Sequence, residues 1–159
     1  VKKRALKIGV LGPHRCTPEE LEQGRQAGRK IAEAGAILVC GGLDGMMAAA
    51  AQGAKEAGGQ TLGILPGDSA DDANEFIDIA LPTGLGLYRN ALIAKVCDSV
   101  IAIGGYYGTL SEIAFALRAG KRVVTLGSWK IGRHGDSDAG IVEAATPEEA
   151  VALALSPGE

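Results

Sequence analysis

Four short segments carry near-continuous apolar side chains: LKIGVL (6–11), AILVC (36–40), SVIAI (99–103) and RVVTL (122–126). A strand with one wet face alternates apolar and polar residues. Runs without alternation predict strands covered on both faces, as in a parallel sheet between helical layers. Weaker strand patterns at 60–65, 76–81 and 140–144 bring the sheet to about six or seven strands. Helical periodicity occupies 18–34, 46–57, 85–97, 109–119 and 147–155. This alternation predicts an α/β three-layer sandwich with a mainly parallel sheet, and 159 residues suit a single domain over 1–159.

The junctions are strongly marked. TPEE occurs at 17–20 and 146–149, each with an N-cap threonine, a proline at the first helical position and a glutamate three after the cap. Gly35, Gly58 and Gly120 follow helical runs and serve as stops. The most informative junctions are LVCGGLDGMM (38–47) and IAIGGYYGTL (101–110). Both read strand, Gly-Gly-x-x-Gly, helix. A third loop, LGPHRC (11–16), also joins a strand to a helix.

Glycines let backbone N–H groups converge, and the first turn of a helix adds unpaired donors and a partial positive charge. Such loops at strand carboxyl ends either make tight connections or cradle phosphate and similar anions. Their duplication favours the second reading. The candidate ligand-binding set is Gly12; Gly41, Gly42, Asp44, Gly45 and Met46; and Gly104, Gly105, Tyr106, Tyr107, Gly108 and Thr109. The Met46–Met47 pair also reads as helix packing, and Asp44 as either a ribose contact or a cap. Neither loop is GxGxxG or a Walker motif, so ordinary dinucleotide or ATP chemistry is not indicated.

Two charged residues stand apart. Glu112 completes a T-x-x-E pattern from Thr109, so it either caps the helix or lies at the pocket mouth. Arg89 shares a helical face with Leu85, Leu92, Ile93 and Val96, and an arginine on an apolar stripe needs a partner. Arg89 and Glu112 are the candidate catalytic residues. Apolar residues on two sides of the 109–119 helix predict a homodimer or homotetramer. Trp129 either covers a pocket or packs on an edge.

Bulk properties exclude several classes. A net charge of −3 with no basic stripe argues against nucleic acid. No apolar run approaches the ~18 residues of a membrane span, and the first residues lack a secretory pattern. Cys16, Cys40 and Cys97 are odd in number and widely spaced, which fits a reducing cytoplasm. His14 and His134 do not suggest a metal site.

The segments GGLDGMM, QGAKEAGG (52–59), GILP (63–66), YRN (88–90) and IGGYYGTLSE together resemble the LOG-like superfamily, formerly called lysine-decarboxylase-like. Within it, the chain resembles the branch containing molybdenum cofactor carrier proteins. The resemblance covers about 6–155 and implies a Rossmann-like fold and a homo-oligomer. The LOG signature is PGGxGTxxE. In LOG enzymes an arginine and this glutamate act in hydrolysis of cytokinin nucleoside monophosphates, roles that map onto Arg89 and Glu112. The phosphate-binding segment maps onto 104–109. Gly104 replaces the signature proline, Tyr106 its second glycine, and Asn90 a basic residue. These departures suit the carrier branch, whose pocket is implied to hold a pterin with its phosphate and molybdenum oxyanion. The implied ligand is thus a small phosphorylated molecule: the molybdenum cofactor, or a nucleotide that is hydrolysed or merely sensed.

Overall fold

The computed structural model describes residues 3–138 and 140–156. The elements run β1 (Lys7–Leu11), α1 (Pro18–Glu33), β2 (Ile37–Cys40), α2 (Met46–Glu56), β3 (Thr61–Leu65), β4 (Ile79–Pro82), α3 (Arg89–Val96), β5 (Ser99–Ile103), α4 (Tyr107–Arg118), β6 (Arg122–Leu126), β7 (Gly132–Arg133), β8 (Asp136–Ser137), β9 (Ile141–Glu143) and α5 (Pro147–Leu155). Seven strands form one sheet in the order β4-β3-β2-β1-β5-β6-β9. Every pairing in it is parallel, and β7 and β8 form a separate antiparallel hairpin.

The architecture is the expected Rossmann-like sandwich. On one face Ile8, Val10, Leu38, Ile101 and Ile103 pack against Ala27 and Ile31 of α1, Met46 and Ala50 of α2, and Ala150 of α5. On the other, Leu11, Val39, Val100 and Val123 meet Ile93 of α3 and Ile113 and Ala116 of α4. Burial on both faces explains why the strand sequences do not alternate. Strand order reverses at β1, which lies between β2 and β5. The loops after β1, β2 and β5 therefore emerge side by side at the switch point, where open α/β sheets collect ligands.

Most boundaries follow the local signals. At α1, Thr17 Oγ1 accepts from the Glu20 amide at 3.1 Å while Glu20 Oε2 accepts from the Thr17 amide at 2.8 Å, completing the capping box. Three boundaries differ from expectation. Strand β4 begins at Ile79 because Asn74 and Asp78 hold the preceding segment as a turn: Asn74 Oδ1 accepts from the Phe76 amide, and Asp78 Oδ2 from the Thr61 amide. Helix α3 begins at Arg89, after a 3-10 turn at Gly86–Tyr88, because Gly84 (φ +66°) and Gly86 (φ +58°) take left-handed conformations. Helix α4 begins at Tyr107 with Tyr106 as its N-cap, which puts Thr109 inside the first turn. The polar 128–138 loop contains the β7–β8 hairpin.

Candidate functional site

A cleft of about 300 Å³ opens at the switch point. Its wall includes Gly12 after β1, Gly41 after β2, Arg89 and Asn90 at the start of α3, and Tyr106, Gly108, Thr109 and Glu112 of the loop and first turns of α4. Val10, Leu11, Pro13, His14, Met47 and Leu87 complete it. A larger hollow of about 730 Å³ lies around Asp98, Lys121 and Arg122, residues at the amino ends of β5 and β6, away from the switch-point loops.

Arg89 forms the floor. Only 7% of it is exposed. Its Nε donates to Ile64 O at 2.8 Å, Nη2 to Gly41 O at 3.4 Å, and Nη1 to Asn90 Oδ1. The guanidinium thus ties β3, the β2 loop and α3 together and sets a positive charge beneath the cleft. Burial lowers its affinity for a proton, while the neighbouring Glu112 and Cys40 act in the opposite sense. Asn90 extends the chain: Nδ2 donates to Ser111 Oγ at 3.2 Å, and Ser111 Oγ donates to Gly108 O at 2.6 Å.

Glu112 is 9% exposed and lines the cleft. With α4 starting at Tyr107, Glu112 stands in the second turn, and no hydrogen bond joins its carboxyl group to Thr109 or to any other described residue. The capping reading of Glu112 is therefore replaced by an unpartnered carboxyl in a cleft. Burial pushes its pKa up to about 8, and the opposing attraction of Arg89 does not cancel that shift. Burial thus favours the protonated acid, a form that can donate a hydrogen bond.

Above Glu112 lies the start of α4. Gly104 and Gly105 take φ of +58° and +104°, which bends the chain sharply after β5. The Gly104 amide is spent on Leu126 O at 3.2 Å. Among the described residues, no protein group accepts from the amides of 105–109. Those of 106–109 are the orphan donors of a helix start, which also carries a partial positive charge. Tyr107 is 80% exposed and its ring lies 5.9 Å from that of Trp129. Gly104, Gly105 and Tyr106 also border a shallower hollow of about 490 Å³ with Glu20, Ser128, Trp129 and Lys130.

The loop after β2 is arranged differently. Gly41 lines the cleft, but its carbonyl serves Arg89. Gly42 packs against Leu65 and Gly63, and its carbonyl accepts from the Asn74 amide at 2.9 Å. Gly45 packs against Pro13 and His14. Met46 is fully buried in the core and its amide donates to Pro13 O at 3.0 Å, so Met47 rather than Met46 reaches the cleft. Asp44 is exposed and pairs with His14 Nδ1. The cleft thus gathers Gly12, Gly41, Arg89, Tyr106, Gly108, Thr109 and Glu112, whereas Gly42, Asp44, Gly45, Met46, Gly104, Gly105 and Tyr107 lie outside its wall. Sequence reasoning did not select Asn90, Met47 or Leu87. Asn90 carried a signal, because it stands beside Arg89 where LOG enzymes have a basic residue.

The fold agrees with relationships across most of the chain. The protein belongs to the SLOG cluster4 family, whose profile matches residues 5–151. It is 45% identical over 123 residues, 77% of this chain and 81% of the other, to a protein of Archaeoglobus fulgidus described as uncharacterized. Among solved structures it is similar to the molybdenum cofactor binding protein of the phototrophic bacterium Rippkaea orientalis, with 37% identity, 96% of each chain covered and a TM-score of 0.86. It is also similar to the molybdenum cofactor carrier protein of Chlamydomonas reinhardtii, with 35% identity, 94% of this chain and 96% of the other covered, and a TM-score of 0.82.

Proposed function

We propose that the protein binds a phosphorylated heterocycle at the switch-point cleft, and that this ligand is the molybdenum cofactor, held as cargo. The observation that carries this reading is the juxtaposition, in one cleft, of Tyr106, Gly108 and Thr109 with unclaimed amides, the buried Arg89 charge and the unpartnered Glu112 carboxyl. Free helix-start amides suit a phosphate or a molybdenum oxyanion. A protonated Glu112 suits an acceptor oxygen or ring nitrogen. Arg89 supplies positive potential without being free to follow the ligand, since three of its donors hold protein groups. A cleft of about 300 Å³ is at the small end of ligand pockets, which suits a compact pterin whose anionic groups remain near the mouth. The cofactor-binding relatives favour the same ligand.

The second reading is hydrolysis of nucleoside 5′-monophosphates, and the freedom of Glu112 from capping is what favours it. There, Glu112 as a carboxylate would stabilise positive charge developing on the ribose. Burial, by raising the Glu112 pKa, opposes that carboxylate role at neutral pH. A non-catalytic nucleotide sensor would use the same amides.

One preparation separates these readings. Protein purified from a host that makes the molybdenum cofactor should retain pterin fluorescence and molybdenum, and should release no ribose 5-phosphate from AMP or a cytokinin monophosphate. Release of free base, abolished by Glu112→Gln, would replace the carrier reading with the enzyme. Thermal stabilisation by AMP with neither result would establish the sensor.

Self-assembly as a homodimer or homotetramer belongs to the same proposal. Helices α3 and α4 bury Ile93, Ile113 and Ala116 inward, yet expose Leu92 (38%) and Phe115 (40%) outward, beside Leu87 and Tyr88 at 80% and 83%. Sedimentation equilibrium checks it, with a purely monomeric distribution counting against it. Among the described residues, no helix is long and apolar enough to cross a membrane.

A further inference from the structure

We propose that Ser128 and Trp129, just after β6, are positioning residues that fix the 104–106 loop, whose Tyr106 lines the cleft at the start of α4. This rests on the anion-binding reading of that segment. Ser128 Oγ donates to Gly104 O at 2.5 Å, and Trp129 Nε1 donates to Tyr106 O at 3.0 Å. In a trans peptide the carbonyl of one residue and the N–H of the next point in opposite directions. Pinning the Gly104 and Tyr106 carbonyls on Ser128 and Trp129 therefore fixes the planes of the peptides that follow them, and with them the chain's entry into α4. The restraint matters because Gly104 and Gly105 lack a Cβ and have many alternative conformations, so an unpinned loop must lose that freedom whenever an anion binds.

Three bonds converge on this short stretch from one direction, since Leu126 O also takes the Gly104 amide. The Trp129 ring further packs on Tyr107, the first residue of α4. Both partners lie more than twenty positions along the chain from the loop they hold. Trp129 is thus neither an edge-packing side chain nor a ligand contact in this assignment.

The test uses Trp129→Phe, which keeps an aromatic ring against Tyr107 but removes the N–H donor, and Ser128→Ala with Ser128→Thr as the conservative rescue. Affinity for inorganic phosphate and for AMP is measured by calorimetry, and backbone ¹⁵N order parameters of residues 105–107 are measured without ligand. We expect affinity to fall about three- to tenfold in Trp129→Phe and in Ser128→Ala, the scale of one hydrogen bond, with recovery in Ser128→Thr. The order parameters should drop towards about 0.6 while the thermal midpoint changes little. If the wild type binds and the variants bind equally well, the positioning role is overturned and the anion site stands. If the wild type binds neither probe, the anion site is overturned, and the order parameters alone decide: a drop supports the strut and no change refutes it.

Discussion

The two GGxxG loops share a spacing and a place at neighbouring strand ends, yet they have become different devices. In the loop after β2, Gly45 is the N-cap of α2 with φ 62° and ψ −128°, a conformation only glycine adopts comfortably, and it packs on the backbone of the loop after β1. The first helical amide is taken by Pro13 O, and the Gly42 and Leu43 carbonyls are held by Asn74. In the loop after β5, the carbonyls are held from outside by Ser128 and Trp129, and the amides of 105–109 are left without protein partners. A Cβ at Gly108 would meet no atom within 4 Å. One loop frames the cleft and the other faces it. Glycine spacing alone does not distinguish a frame from a site; what distinguishes them is which backbone groups the surrounding protein has already claimed.

The largest expected effect sets those glycines against each other. A Cβ on Gly45 would lie 2.2 Å from His14 O and 2.7 Å from Pro13 O, both backbone atoms. Gly45→Ala should therefore cost roughly 3 kcal/mol or more in urea unfolding, from the clash and the left-handed backbone together. Gly108→Ala should leave stability unchanged or raised by up to about 1 kcal/mol, because alanine favours a helix, while its methyl in the cleft wall weakens phosphate binding. Equal destabilisation of both variants would break the comparison.

Next is Arg89→Met. It strands Ile64 O and Gly41 O and should destabilise by roughly 2–3 kcal/mol. Removing the positive charge should also move the Glu112 titration further upward, as read by ¹³C NMR of its carboxyl carbon.

Glu112→Gln sharpens the electrostatic side. A folded-state pKa near 8 lies above the ordinary 4.5, so between those values the native state holds a proton that the unfolded chain has released. Wild-type stability should fall as pH rises from about 4.5 to about 8 and then level off. The Gln variant should lack this component and exceed wild type by roughly 1–3 kcal/mol at pH 8. Parallel pH profiles would show that the cleft does not withhold water from Glu112.

The smallest effect belongs to Asp44→Ala. Asp44 and His14 pair at an exposed site, with 64% and 67% of their side chains accessible, so stability should change by at most about 0.5 kcal/mol in urea unfolding. A larger loss would mean that the β2 loop depends on this pair as well as on Asn74 and Pro13.

Much of the fold was legible because its signals are local. Continuous apolar runs marked strands buried on two faces, and TPEE and post-helical glycines marked helix ends. The displaced starts of β4, α3 and α4 have non-local causes or depend on glycine conformations that composition does not reveal. Asn74 ties the β4 approach to Leu43, and Gly84 and Gly86 turn the chain ahead of α3. The candidate site was legible as a set of loops, and less so residue by residue. Arg89 stood out as a charge on an apolar stripe, but its partners at Ile64 and Gly41 lie 25 and 48 positions away. Trp129 carried no pattern that assigned it to Tyr106.

By itself, then, the order of apolar runs, caps and glycines determined a parallel sheet between two helical layers and placed three strand-to-helix loops at one end of it. Only the tertiary structure decided which of those loops kept its amides open, and that Glu112 faces the cleft unpaired, its pKa raised by burial, instead of capping α4. The physical reason is that both outcomes depend on desolvation and on competition for hydrogen-bond partners among segments far apart in the chain, quantities that exist only once those segments have packed together.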